Sequence, residues 1–86
     1  MQKEFTIIKL HRIIKNKKGD FSMSLRVRDV KNHTFHNGSM YIPQSKTSLL
    51  NFVHSLKQGD HVILTHEVVK IEKHPTNLDI KHIARL

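Results

Sequence analysis

Between Phe21 and Val30 the chain alternates: Phe21, Met23, Leu25 and Val27 are apolar, while Ser22, Ser24, Arg26 and Arg28 are polar. A period of two is the mark of a strand with one face on a core and the other in water. The preceding segment, Phe5 to Ile14, is rich in β-branched residues but breaks the rule. Phe5, Ile7 and Ile13 share one parity, and Ile8, Leu10 and Ile14 the other. Such a strand is either buried on both faces or bends from one sheet into another. Lys15 to Asp20 reads as a turn, with Gly19 relieving the backbone. After a turn at Lys31-Asn32, His33 to Ile42 predicts a third strand. Its Asn37-Gly38 dipeptide predicts a β-bulge; a type I′ hairpin turn there would leave two very short strands.

Pro43 ends that strand, and Ser45 or Thr47 is placed to cap a helix running to about Lys57. Leu49, Leu50, Phe52, Val53 and Leu56 fall on one helical face. Gln58-Gly59-Asp60 stops the helix, with Gly59 suited to a left-handed conformation. His61 to Lys73 predicts a long fourth strand that changes parity, from Val62, Leu64 and Val68 to Ile63, Val69 and Ile71. His74 to Asn77 is a turn, and Leu78 to Leu86 a fifth strand. No repeat, linker or low-complexity tract interrupts residues 1–86, which read as a single domain with a core of modest size.

The order β-β-β-α-β-β contains two long strands, the first and the fourth, that switch sides partway. Curving strands of this kind close a small barrel, and a helix apolar on one side plugs its open end. The stretch "YIPQSKTSLLNFVHSLKQGDHVILTHEVVKIE" sets out a strand, a capping helix, a Gly-Asp turn and a long fourth strand in succession. Over the whole chain the pattern resembles the OB-fold, a five-stranded barrel. It is also similar to the small single-stranded DNA-binding proteins of phages and mobile elements. An SH3-like barrel is the structural alternative, although such barrels seldom carry a four-turn helix at this point.

The charge balance gives that resemblance a functional direction. Fifteen Lys and Arg against seven Asp and Glu make a net charge of +8, with eight histidines besides. A polyanion is the expected partner, nucleic acid ahead of a membrane surface. OB-folds bind oligonucleotides on the outer face of strands two and three, between the loops joining strands one to two and four to five. The resemblance therefore implies contacts from Lys15, Lys17 and Lys18 in the first loop, Arg26 and Arg28 on strand two, Lys31 after it, Tyr41 on strand three, and Lys73 in the second loop. Lys9, His11, His33 and His74 are candidates to extend this basic face. Arginine suits it because a planar guanidinium pairs with phosphate and stacks on a base. Aromatics are sparse. Phe5, Phe21 and Phe52 sit in apolar patterns, Tyr41 is expected to face outward, and the parity of Phe35 admits either side.

Other classes find little support. Without cysteine there is no disulfide, thiol nucleophile or thiolate metal site. His33 and His36, and His61 and His66, differ in strand parity, so no metal or cofactor is expected. There is no GxxxxGK loop, no arguable Ser-His-Asp set and no cluster of carboxylates, so no enzyme is expected. No segment approaches the roughly 20 apolar residues of a membrane span. The charged N-terminal stretch is not expected to be a signal peptide, which makes the sequons at Asn32 and Asn37 coincidental and a cytoplasmic location the expectation. The sequence thus predicts non-sequence-specific binding of single-stranded DNA or RNA, in replication, recombination or DNA transfer. The alternative is an OB-like adaptor docking on an acidic protein in a larger complex. Open strand edges add self-association or a replication-protein partner to the expected contacts.

Overall fold

The computed structural model describes residues 1–69 and 77–86. Five strands and one helix follow the predicted order: β1 (Gln2–Lys15), β2 (Phe21–Asp29), β3 (Phe35–Ile42), α1 (Thr47–His54), β4 (His61–Val69) and β5 (Asn77–Arg85). The strands close into a barrel in the order β1-β2-β3-β5-β4. All neighbours are antiparallel except β3 and β5, which run parallel. This is the OB-fold arrangement that the sequence resembled.

Closure depends on how β1 bends. It pairs with β4 only over Gln2–Thr6 and with β2 from Phe5 to Lys15. The β1–β2 register passes from Ile7–Val27 to Lys9–Arg26, then from Leu10–Leu25 to Arg12–Ser24. Ile8 and His11 are therefore extra residues, each a β-bulge that bends the strand and resets its parity. Phe5, Ile7, Leu10 and Ile13 all join the core as a result, while Ile14 is exposed. The two-sided apolar pattern of this strand is the record of two bulges.

Over its described residues β4 keeps one inward parity and the switch lies on its partner; the rest of the expected fourth strand, including Ile71 and Lys73, lies outside the described residues. On β4, Val62, Leu64 and His66 keep one parity inward, and Val68 and Val69 are exposed. On β5 the register skips Lys81, between Ile80–His66 and His82–Thr65. Leu78 and Ile80 face in before the skip and Ile83 after it.

Two further expectations are corrected. No bulge or turn occurs at Asn37-Gly38: β2 and β3 pair without a register shift from Phe21–Ile42 to Arg28–Phe35. Gly38 serves close packing, since a Cβ there would lie 2.9 Å from Ile80 Cδ1. Nor do Ser45 or Thr47 cap the helix. Lys46 holds the N-cap position without a side-chain bond, and Thr47 is the first helical residue. The helix ends at His54 rather than near Lys57. There Ser55 turns its hydroxyl back onto the Phe52 carbonyl at 2.6 Å, and the Lys57 amide bonds Asp60 at 2.8 Å. Val53 and, just past the helix, Leu56 are buried against the barrel, with Leu49, Leu50 and Phe52 packed around them. Gly19 and Gly59 take the expected left-handed backbone, at φ 90° and 93°.

The end of β2 is tied by Asp29, whose carboxylate is almost wholly buried. It accepts the amides of Lys31 at 2.9 Å and Asn32 at 3.0 Å, the Asn32 side chain at 3.2 Å, and faces Lys3 Nζ at 3.7 Å. Burial alone would raise its pKa, but these hydrogen bonds and the Lys3 charge outweigh it and hold the carboxyl below its ordinary value. The knot shapes the turn through which the chain passes His33, at φ 59°, into β3.

Candidate nucleic-acid interface

The outer face of β1, β2 and β3 is a grid whose rows follow from the register. Ile14, Ser22 and Tyr41 form one end row. Arg12, Ser24 and Ser39 come next, then Lys9, Arg26 and Asn37, and last Thr6, Arg28 and Phe35. Directly paired residues project to the same side of a sheet, so four cations share one surface with two aromatic rings. Phe35 is 50 % exposed and Tyr41 59 %. Six residues apart on one strand, they are separated by about 20 Å.

Each aromatic is held by a polar neighbour. Arg26 lies over the Phe35 ring, 5.5 Å from its centroid, and donates from Nη1 to Asn37 Oδ1 at 3.2 Å. Arg28 donates to His33 Nδ1. At the other end, the Tyr41 hydroxyl donates to Asp20, whose second carboxylate oxygen accepts the Gln44 amide at 2.9 Å. The Tyr41 bond, then the Gln44 amide, hold the Asp20 carboxyl below its ordinary value; reciprocally, bonding to Asp20 raises the Tyr41 phenol. Asn16 ties the same loop together by accepting the amides of Lys18 at 2.9 Å and Asp20 at 3.0 Å. The loop that carries Lys17 and Lys18, directly after Lys15 at the end of β1, is thereby fastened to the strand that carries Tyr41.

Arg26, Arg28 and Tyr41 thus share the outer face, with Lys17 and Lys18 in the loop beside its Tyr41 end, whereas Lys15, the last residue of β1, pairs with Phe21 and falls on the opposite parity. Lys31 stands in the turn at the opposite end, beyond Arg28, with its backbone amide on Asp29. Lys73 lies outside the described residues. Arg12 and Asn37 were not among the candidates drawn from the sequence, although each belongs to the grid, together with Lys9, expected to extend the basic face, and Phe35, whose side the sequence left open. Arg12 was masked by the bulges, which scramble its parity relative to β2. A strict count across the β1–β2 turn, with the bulges allowed for, would have found it.

Charge is not spread evenly around the barrel. On the outer side of β5 and β4, Asp79 stands beside Ser39 and opposite Glu67. Asp79 pairs with Lys81 at 2.8 Å. The outer face of β1 and β2 carries Lys9, Arg12, Arg26 and Arg28, with Glu4 one row beyond Thr6, whereas that of β4 and β5 carries Glu67 and the Asp79–Lys81 pair. Between them the small side chains of Ser24 and Ser39 leave a depression of 390 Å³, also bordered by His11, Asn37 and Asn77. Among the described residues no cluster of His, Asp or Glu is arranged to hold a metal ion, and no helix is long and apolar enough to cross a membrane.

An OB-fold barrel with a basic, partly aromatic outer sheet is the class defined by this geometry. Among solved structures, the chain is similar to the small single-stranded DNA-binding protein of Streptomyces coelicolor. The TM-score is 0.51 at 14 % identity, over 99 % of this chain and 91 % of that one. At that identity the likeness is one of fold. No protein-family model matches the sequence, and no curated protein does.

Proposed function

We propose that the chain binds single-stranded nucleic acid across the outer face of β1, β2 and β3, with little sequence preference in the backbone contacts. The observation that carries this reading is the grid itself. Lys9, Arg12, Arg26 and Arg28 lie side by side, and the exposed rings of Phe35 and Tyr41 stand at the two ends of the adjacent strand. Guanidinium and ammonium groups take phosphates, and exposed rings take unpaired bases, which a duplex keeps stacked inside. Lys15, Lys17, Lys18 and Lys31 extend the positive field at either end, and Lys73 is proposed to add a further contact. The fold of the Streptomyces protein, named for binding single-stranded DNA, supports the same reading. A role in protecting or presenting single strands during replication, recombination or DNA transfer is proposed with it, without catalysis.

Fluorescence anisotropy with labelled oligo-dT, oligo-U and duplex DNA of equal length, over a salt series, tests this. Single strands should bind more tightly than duplex, and affinity should fall steeply with salt. Equal weak binding to all three, abolished by physiological salt, would leave only a general attraction of the +8 charge and defeat the proposal.

A further inference from the structure

Asp20 ends the loop between β1 and β2 that carries Lys17 and Lys18, and so puts an acid beside a cationic face. Its charge repels phosphate, yet both of its oxygens are committed to holding that end of the face together. We propose that Asp20 is a positioning residue for single-strand binding: it fixes the Tyr41 ring for base stacking and locks the Lys17–Lys18 loop beside it, so that this acid strengthens the binding of strands that carry bases. This rests on the single-strand reading above and gives one of its two aromatic platforms a mechanism.

Three segments meet at Asp20. The Tyr41 hydroxyl, from β3, donates to one carboxylate oxygen, and the Gln44 amide, from the connection to α1, donates to the other at 2.9 Å. The third segment is the loop itself. The Asn16 side chain accepts the amides of Lys18 and Asp20, and the Asn16 amide donates to the Asp20 carbonyl at 2.8 Å. Gly19, at φ 90°, lies so near Gln44 that a Cβ would stand 2.7 Å from its Oε1. The lysine loop is thus closed onto the end of β3 by its backbone, by Gly19 and by the Asp20 carboxylate.

The bond to Tyr41 is made at the rim of the ring, whereas stacking uses its faces. Among the described residues no ring or guanidinium is stacked on Tyr41, while Phe35 carries Arg26 over one of its faces. Tyr41 is 59 % exposed. An exposed ring that nothing holds gives up its rotamer freedom when a base arrives. Held by Asp20, the ring is ordered before the ligand comes. The direction of the effect separates this role from that of a bare charge. Removing an acid from a phosphate-binding face should by itself tighten binding. Removing a positioning residue should weaken it, and only for strands with a base to stack.

The test uses the full chain and labelled single strands of about ten nucleotides, within the range that one OB barrel covers. Oligo-dT is compared with a wholly abasic strand of equal length. The ratio of their affinities isolates what the bases add, because the phosphate contacts cancel. Asp20→Ala should lower that ratio about 2- to 10-fold, the equivalent of one side chain left to be immobilised on binding, and should leave the abasic affinity equal or higher. In a Tyr41→Phe background the ring has no hydroxyl to hold, so Asp20→Ala should no longer change the ratio. A ratio unmoved by Asp20→Ala, or lowered equally in both backgrounds, would overturn the positioning role while leaving single-strand binding in place. Thermal melting checks that each variant is folded. If Asp20→Ala is not, Tyr41→Phe carries the test alone: it breaks the same bond and should lower the ratio by a similar factor, and an unchanged ratio would overturn the role. Absence of binding to any single strand by the wild type would overturn both readings.

Discussion

Replacing Arg26 and Arg28 together by alanine should change the salt dependence of single-strand binding by an amount that the structure fixes in advance. Neither guanidinium is spent on a carboxylate. The ion pairs among the described residues are Lys3–Asp29, Lys81–Asp79 and Arg85–Asp60. Arg26 is held by neutral Asn37 and the Phe35 ring, and Arg28 by His33. Each therefore presents a full, positioned charge and is assigned one phosphate. A single strand contributes a slope of about −0.7 in log affinity against log salt for each phosphate neutralised, so removing both should flatten the slope by about 1.4. Over a fourfold rise in salt, from about 50 to 200 mM, the wild type should then lose roughly sevenfold more affinity than the variant. The Arg26–Phe35 contact, of order 0.5–1 kcal/mol at an exposed site, enters the absolute affinity and not the slope. Anisotropy titrations with labelled oligo-dT at five or so salt concentrations measure it, with Lys57→Ala, off the face, as the control. Parallel lines for wild type and double variant would refute the assignment of these two arginines to phosphates.

Tyr41 is the one tyrosine in a chain without tryptophan, so its emission reports a single position. Saturating oligo-dT should quench it; Tyr41→Ala should cost about 1–3 kcal/mol of binding, and Tyr41→Phe less, because the ring remains. Emission that ignores the ligand would remove Tyr41 from the site. Asp20→Asn should lower the Tyr41 phenol back toward its ordinary value of 10.0 by removing the hydrogen bond and charge that raise it, as seen by near-ultraviolet absorbance; an unmoved titration would refute the link. The Asp20 carboxyl is depressed below its ordinary 3.8, so its contribution to stability is complete above that pH. It should fade as pH falls through the lower folded-state value, and melting curves of wild type and Asp20→Asn should converge in strong acid. Gly38→Val should destabilise the fold by about 1–3 kcal/mol through overpacking, since even a Cβ there meets Ile80 at 2.9 Å; denaturation midpoints unchanged by the substitution would show that the core gives way freely.

The alternation of β2 carried its meaning openly because both of its neighbours are antiparallel and the extra residues in its pairing with β1 lie on β1, not on β2. Ser22, Ser24, Arg26 and Arg28 do face outward, as a simple count requires. The barrel itself was legible in the mixed parity of β1, whose bulges at Ile8 and His11 are what bending requires. On β3 the count gave no answer for Phe35, for a reason visible in the interior. The inward positions of its first half are His36 and Gly38, neither of them a large aliphatic residue. Their space is taken from elsewhere: Phe5 meets His36 edge-on at 6.2 Å, and Ile80 fills the place of a side chain at Gly38. A core built by partners distant in sequence leaves no apolar stripe on the strand it covers. The same distance concealed the β5 bulge at Lys81, because the exposed Val68 and Val69 made β4 look like the strand that turned. The helix start was misjudged for a local reason, with Lys46 at the cap and Thr47 already inside the first turn.

What turns a basic composition into a basic face is the use made of the acids. Asp20 binds the Tyr41 hydroxyl and the Gln44 amide; Asp29 closes the turn after β2; Asp60 accepts the Lys57 amide and pairs with Arg85 at 3.2 Å. Each of these carboxylates fastens a turn or strand end, and Asp79 is engaged by Lys81 on the far side of the depression. The four rows from Ile14–Ser22 to Thr6–Arg28 therefore keep their cations without intervening acids, Glu4 standing one row beyond. Fields from charges grouped within a Debye length of about 8–10 Å add, whereas the same charges scattered around the barrel would be screened from one another. Neighbouring rows of a sheet lie well inside that length: strands are about 4.8 Å apart, and alternate residues on one strand about 6.8 Å. Lys9, Arg12, Arg26 and Arg28 consequently act on a passing polyanion as one surface. Under the proposed reading, the exposed rings at the two ends of β3 then favour unpaired bases over a duplex, whose bases are already stacked inside.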